Sequence, residues 1–283
     1  MSVDQVGSGF SGRDVSDYFR FGRWEIPPPE GSDGFSEFDG RAAVDSHQLS
    51  AAGGIRIGGL LTTLDAIGGL LSGISVQPNW VVTTSMMATV SRLSHQGPLR
   101  LHGRVLRRGR NSVVAGLDVV DEGDHDAPVA AVTMTFAILD PGALEFGFER
   151  PIATPMPPPR VDAEGLEEFF RIEPGVGAVT RLELSDHLRN PWGILHGGAV
   201  AALADVAACR AVEASRPDIR TTGSFAAGDF TLHFLRPVRV GPVEARCQVI
   251  GSSAGRSVVR VAIHDLGADD RMVDLAMVTV FDV

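Results

Sequence analysis

The chain contains itself twice. Sliding the 283-residue sequence by 140 positions lays residues 41–65 over 181–205 without a gap. Arg41 falls on Arg181, His47 on His187, Gly53 on Gly193, Gly58 on Gly198 and Asp65 on Asp205. These identities include both turn glycines and the single carboxylate of each of two apolar, helix-forming runs, so they mark a duplicated structural unit. The correspondence continues with small insertions. Arg92 matches Arg236, Gly97-Pro98 matches Gly241-Pro242, and Trp80 to Val90 reads as a strand matching Gly223 to Phe234. Alternating strands follow in pairs: Leu99 to Arg107 with Val243 to Ile250, Val113 to Val120 with Val258 to His264, and Val129 to Leu139 with Met272 to Val283. Each half thus reads as a strand (Arg41 to about Leu49 in the first), one long helix and four strands. This is an α+β plan in which an antiparallel sheet wraps a central helix. One half alone leaves a sheet edge open, and pairing the halves covers it.

The repeat divides the chain into an N-terminal arm (1–35), a first domain (36–140), a proline-rich linker (141–160) and a second domain (161–283). The arm is rich in Gly, Ser and Asp, stops at Pro27-Pro28-Pro29, and is expected to tack Trp24 and Ile26 onto the core. The linker, with Pro155-Met-Pro-Pro-Pro159, is stiff, and Asp162 to Arg171 reads as a short amphipathic helix. A hydrophobic content of 44% suffices for one large core or two ordinary ones. The net charge of -10 argues against nucleic acid as a partner. Cys209 and Cys247 match no metal spacing and read as buried thiols in a reducing compartment. His47 and His187 read as solvated or sheet-packing residues, and no metal set is expected. No basic-then-apolar leader opens the chain, so a cytoplasmic location is expected. Ile57 to Val76 is long enough to span a membrane, but Asp65 at its centre, Arg56 at its edge and five glycines argue for a buried helix and no membrane partner.

The richest stretch is Asn190-Pro-Trp-Gly-Ile-Leu-His196-Gly197-Gly198 and the Ala-rich run after it, which carries Asp205. A helix apolar nearly all round belongs inside a core. Its first turn offers unpaired N–H groups and the positive dipole end, and glycines there let a ligand come close. That is a site for a carbonyl oxygen about to become an anion. Asn-x2-Gly-x2-His-Gly-Gly, an Asp nine residues after the His, and the strand Phe230-Thr-Leu-His-Phe-Leu-Arg-Pro-Val238 together resemble the hotdog-fold acyl-CoA thioesterases, in particular their phenylacetyl-CoA thioesterase branch. The match covers most of residues 178–283. It implies a hotdog fold in each half, hence a tandem double hotdog, the covalent version of what is normally a dimer. It further implies thioester hydrolysis, no cofactor beyond the coenzyme A of an acyl-CoA substrate, and a homo-oligomer of fused units.

Gly197 and Asp205 cannot serve one carbonyl, because eight residues of helix set them about 12 Å apart. A base must lie within about 3 Å of its target or one water away. The carboxylate must therefore come from a second, antiparallel helix, and the resemblance likewise implies sites shared between two units. Site one then joins Asp65 to Asn190, His196 and Gly197 as catalytic residues, with Gly198 binding substrate. The family pattern adds a hydroxyl on the strand after the carboxylate helix, Thr83 or Thr84, where the second half has Ala226 and Ala227. Asp65 would act as base or nucleophile, while Asn190 and the Gly197 N–H hold the carbonyl and His196 orients the carbonyl or the sulfur. Site two joins Asp205 to Ser50, Arg56, Ile57 and Gly58. A branched residue at the Gly197 position and a shorter one at the Asn190 position make it degenerate, and Arg56 is a candidate ion-pair partner for Asp205. The cluster Arg100, Arg104, Arg107, Arg108 and Arg110 reads either as a phosphate site for coenzyme A or as a solvated strand face.

Three functions compete: an acyl-CoA thioesterase, a noncatalytic acyl-CoA-binding hotdog protein, and a double-hotdog hydratase or dehydratase. The last needs an Asp and a His cooperating on one segment, a spacing that Asp186-His187 lacks. Release of free thiol from acyl-CoA separates them.

Overall fold

Two helices of 19 residues, α1 (Ile57–Ser75) and α2 (Gly197–Ser215), stand where the two apolar runs place them. The computed structural model describes residues 18–26, 37–140, 152–154, 156–158, 163–175, 179–190, 192–216 and 225–283. Among the described residues, thirteen strands run around the helices. Those of the first half are β1 (Phe21–Ile26), β2 (Glu37–Ala42), β3 (Trp80–Val90), β4 (Leu99–Arg108), β5 (Ser112–Asp121) and β6 (Ala127–Leu139). After β7 (Ile152–Thr154) come β8 (Ile172–Pro174), β9 (Val179–Leu182), β10 (Phe225–Phe234), β11 (Val243–Ser253), β12 (Arg256–Asp265) and β13 (Arg271–Asp282).

All thirteen form one antiparallel sheet ordered β7-β1-β2-β4-β5-β6-β3-β10-β13-β12-β11-β9-β8. From β2 to β9 the order mirrors itself about the β3–β10 pair, where Ala88 faces Phe230 and Ser85 faces His233. The two inner edges thus cover each other, as the open-edge argument requires. Alternate residues such as Leu101, Val113, Leu117 and Phe136 point inward and are buried, while Met87 on the outer face is 55% exposed.

Several sequence readings need adjustment. The strand read from Arg41 to Leu49 ends at Ala42, and Ser46–Gln48 is a 3-10 turn. The amphipathic helix is a single turn, Leu166–Phe169. The stretch read as an arm contributes β1, and the linker contributes β7, which pairs with it; the rest of both lies largely outside the described residues. The repeat also reaches further back than residue 41. Tyr18-Phe19-Arg20 before β1 matches Phe169-Phe170-Arg171 before β8, with Arg20 and Arg171 both at positive φ. Tyr18 stacks on Phe169 at 4.0 Å, and His47 and His187 bond the Tyr18 and Phe169 carbonyls. These histidines anchor the aromatic join between halves, which explains their identity. Asp121 and Asp265 are a further matched pair. Each gathers backbone N–H groups of the turn before β4 or β11, including that of Gly97 or Gly241. Burial disfavours the Asp121 charge, but the donors from Gln96, Gly97 and Gly123 outweigh it, and its pKa falls below the ordinary value.

The helices cross antiparallel at glycine distance. A Cβ on Gly58 would stand 2.6 Å from the Ala202 Cα, and one on Gly198 only 2.4 Å from the Thr62 Cα. The Thr62 hydroxyl donates to the Gly198 carbonyl at 2.9 Å and sits 2.7 Å from that of Gly58. By length and composition α1 could cross a membrane; here its apolar window is 83% buried inside the protein.

Gly198→Ala must push two helix backbones apart and should cost about 1–3 kcal/mol or more. Gly69→Ala, whose new Cβ would lie 3.9 Å from Phe136, should be neutral or stabilising by up to about 1 kcal/mol. Urea unfolding of both variants checks this, and equal loss in the two would refute the close-crossing account.

Candidate active site at the helix crossing

The approach to α2 begins with a tight loop. Gly193 lies at φ +70, as Gly53 lies at φ +83 in the matching loop, a backbone setting that favours glycine and explains their identity. Asn190 builds this turn: its Oδ1 accepts from the Trp192 and Ile194 N–H groups at 3.0 and 3.3 Å. Ser50 does the same more weakly, accepting from Ala52 at 3.3 Å. The sequence assigns Asn190 to the carbonyl of a substrate; its oxygen is instead committed to the loop, and its Nδ2 is the group left for a ligand. Trp192, which sequence reasoning passes over, meets Trp80 edge-on at 5.4 Å and ties the loop to the start of β3.

His196 caps α2, its Nδ1 accepting from the Gly198 N–H at 3.0 Å. The Gly197 N–H takes no partner among the described residues, as expected for the first residue of a helix. Asp65 arrives from α1, as the antiparallel argument requires. Its side chain is nearly buried, with Oδ1 accepting from the Thr83 hydroxyl at 2.6 Å and Oδ2 from the Gly198 N–H at 3.1 Å. His196 Nδ1 stands 3.3 Å from the same Oδ2. A Cβ on Gly197 would fall 2.8 Å from Asp65 Oδ2 and 3.1 Å from Phe234, so only glycine leaves the carboxylate open there.

Two assignments read from the sequence change. Thr84 does not share the carboxylate with Thr83; it is the extra residue of a bulge between Thr83 and Ser85, and its hydroxyl donates to the Thr135 carbonyl of β6 at 3.0 Å. Gly198 has no room for substrate: it packs on Thr62, and its N–H is already given to Asp65 and His196.

The second site repeats the plan with different chemistry. Asp205, 1% exposed, accepts from the Gly58 N–H at 2.9 Å. The cap of α1 is Arg56, whose guanidinium lies 3.4 Å from Asp205 and 3.3 Å from Glu167, and Glu167 also pairs with Arg210. Burial works against the Arg56 charge, but Asp205, with Cys209 and Glu167 behind it, overturns this and raises its pKa. Cys209 lies one turn past Asp205, at 3.7 Å; burial first, then that carboxylate, pushes its thiol up. Ile57 is buried where Gly197 is only partly buried. The site is filled by an ion pair and sealed. The Asp205–Cys209 spacing of one helical turn is a sequence signal for that neighbour; nothing in sequence announces Glu167. A further group that sequence reasoning misses is Asp274 on β13, opposite Phe234 and 1% exposed, whose carboxyl burial holds well above its ordinary pKa.

Residues 193–270, which include His196, Gly197 and Asp205, match the family model described as Thioesterase superfamily. The 12:0-ACP thioesterase from Umbellularia californica superposes with a TM-score of 0.59 at 13% identity, over 87% of this chain and 94% of that one. The acyl-CoA thioesterase II TesB2 from Mycobacterium marinum gives 0.54 at 18% identity, over 87% and 91%. A conserved protein of unknown function with a hot dog fold from Alicyclobacillus acidocaldarius gives 0.58 at 14% identity, over 95% and 97%. The chain therefore has the hotdog fold, and its residues 193–270 carry the pattern of the thioesterase superfamily.

Proposed function

We propose that this protein is an acyl-CoA thioesterase, a tandem double hotdog whose halves, 36–140 and 161–283, build one working site at Asp65. The observation that carries the reading is the unequal treatment of two matched aspartates: Asp205 is ion-paired with Arg56, whereas Asp65 faces the only partly buried Gly197. The thioester carbonyl lies against the Gly197 N–H and the Asn190 Nδ2, at the positive end of α2, where the developing oxyanion is stabilised. Asp65 Oδ2 either takes a proton from an attacking water or adds to the carbonyl itself; both routes use the same atom and geometry. Thr83 holds the other oxygen and so fixes the carboxylate plane. On the water route, collapse of the tetrahedral intermediate breaks the C–S bond and the proton taken up by Asp65 goes to the departing sulfur. On the other route, thiolate leaves a mixed anhydride on Asp65, which a water then hydrolyses to free the carboxylate and supply the proton for the thiol. No cofactor enters, and the setting is cytoplasmic.

Asp65→Asn should lower kcat roughly a hundredfold or more, and Thr83→Val about tenfold, with the fold intact. Asp205→Asn should keep most activity yet lower the melting temperature more than Asp65→Asn does, since Arg56 loses its buried partner. Free-thiol release from acyl-CoA, with melts alongside, checks all three. A folded wild-type chain that binds acyl-CoA without releasing thiol would instead establish the noncatalytic reading.

Because the site needs α1 and α2 together, residues 1–145 and 160–283 made separately should lack hydrolysis until mixed. Full activity in the second fragment alone would show that Asp205 serves after all.

The outer sheet face suits a second copy. Exposed Met87 stands beside Thr89, Thr231 and Met277 around a shallow depression on the mirror axis of the sheet. Sedimentation should show assemblies larger than the 30.0 kDa chain, and Met87→Arg should weaken them. A species of chain mass only, at micromolar concentration, would overturn this.

A further inference from the structure

The turn between β4 and β5 carries positive charge that nothing in the fold uses. Arg104, Arg107, Arg108 and Arg110 are all exposed. Neighbouring Arg100 is satisfied by Glu122 and Asp126, but none of these four forms an ion pair among the described residues. The Arg107 guanidinium folds back over the turn, where a Cβ on Gly109 would meet its Nη1 at 2.7 Å. In a chain of net charge -10, exposed cations usually find carboxylates, so an unpaired group of four is a feature to explain.

Its position is defined by the sheet. Arg108 pairs with Val113, Val113 with Phe136, and Phe136 with Thr83. Arg108 and the hydroxyl residue that holds Asp65 thus share one rung, three strand spacings or about 14 Å apart. The turn itself abuts the end of β6, where the Ile138 N–H donates to the Asn111 carbonyl at 3.0 Å. Leu139 beside it pairs with Trp80, which touches Trp192 of the Asn190 loop. The arginines therefore stand at the same end of the sheet as the mouth of the Asp65 site.

The repeat supplies an internal control. In the matching β11–β12 hairpin, Ser252 faces Ser257 as Arg108 faces Val113, and Gln248, Gly251, Ser252 and Ala254 replace the four arginines. The turn beside the sealed site carries a single arginine, Arg256, with Arg260 across from Gln248; the turn beside the open site carries Arg107, Arg108 and Arg110.

We propose that the β4–β5 turn is the subsite for the phosphate groups of the nucleotide end of coenzyme A, with Arg107, Arg108 and Arg110 as anion ligands and Arg104 adding to their field. The proposal rests on the thioester reading of Asp65 and extends it to the carrier. Guanidinium groups match phosphate oxygens in paired hydrogen bonds, and a compact turn suits a small polyanion.

The test titrates free coenzyme A, dephospho-coenzyme A and pantetheine into the full chain and into the triple variant Arg107→Gln/Arg108→Gln/Arg110→Gln. Coenzyme A affinity should fall about tenfold or more in the variant and lose most of its salt dependence, while pantetheine binding stays unchanged. KM for acyl-CoA should rise with kcat within about twofold, and acyl-pantetheine hydrolysis should not change. Arg256→Gln/Arg260→Gln on the opposite hairpin should behave as wild type. Wild-type coenzyme A affinity in the triple variant overturns the proposal, as does equal loss for pantetheine. A KM rise confined to acyl-carrier-protein thioesters also overturns it, marking the turn as a protein-docking surface. If the wild type cleaves neither acyl-CoA nor acyl-pantetheine, the thioesterase reading fails, and the coenzyme A titration still decides the subsite.

Discussion

Each of the two aspartates sits on the amino end of the other's helix, and the architecture depends on that reciprocal grip. Asp65 takes the Gly198 N–H and Asp205 takes the Gly58 N–H, in each case the second residue of the facing helix. Neither contact forms unless the helices run antiparallel and approach at glycine distance, which Gly58 and Gly198 permit by lacking a side chain. A buried carboxylate without such partners would cost several kcal/mol. Two N–H donors at positive helix ends offset that cost, and they lock the halves in one register. The sheet follows from this: wrapped around two crossed helices, its inner edges β3 and β10 meet and close each other.

A symmetric frame then allows asymmetric chemistry. The helix caps make the difference, His196 on α2 and Arg56 on α1. Arg56 brings a permanent charge and a long side chain, so Asp205 acquires an ion pair and loses its opening. Glu167 and Arg210 extend the pair into a network anchored beside the aromatic join of Tyr18 and Phe169. His196 instead returns its Nδ1 to the backbone of its own helix and leaves the mouth free. Duplication thus lets one half of a paired site harden into a strut while the other keeps its geometry, and neither role disturbs the crossing.

Most of the fold is legible in the sequence because it rests on periodicity and repetition. The helices, β3 to β6 and β10 to β13 follow from alternation and from matched turn residues, and the antiparallel pairing follows from the length of a helical turn. What stays hidden depends on contacts between distant segments. The Tyr18-Phe19-Arg20 match to Phe169-Phe170-Arg171 shares chemistry more than identity and has a different offset, so the repeat reads as if it began at residue 41. Glu167 reaches Arg56 across 111 residues, and no local pattern announces it. Thr83 and Thr84 cannot be separated by alternation because a bulge between Thr83 and Ser85 shifts the strand phase. Gly198 reads as a substrate contact because sequence shows that a glycine is required without showing which neighbour requires it.

The same contacts decide which hydrogen bonds each helix cap can make. His196 Nδ1 lies 3.0 Å from the Gly198 nitrogen and 3.3 Å from Asp65 Oδ2, and it can serve only one of them. As an acceptor it caps α2 and shares the Gly198 N–H with Asp65. As a donor it must give up that cap and bond the carboxylate, leaving the Gly198 N–H wholly to Asp65. The two arrangements differ in whether Nδ1 carries a hydrogen, and very little movement separates them. Arg56 cannot do this, because a guanidinium keeps its protons throughout. The histidine cap therefore leaves two hydrogen-bonding arrangements open on the Asp65 side of the crossing. Its counterpart at Asp205 holds one fixed state.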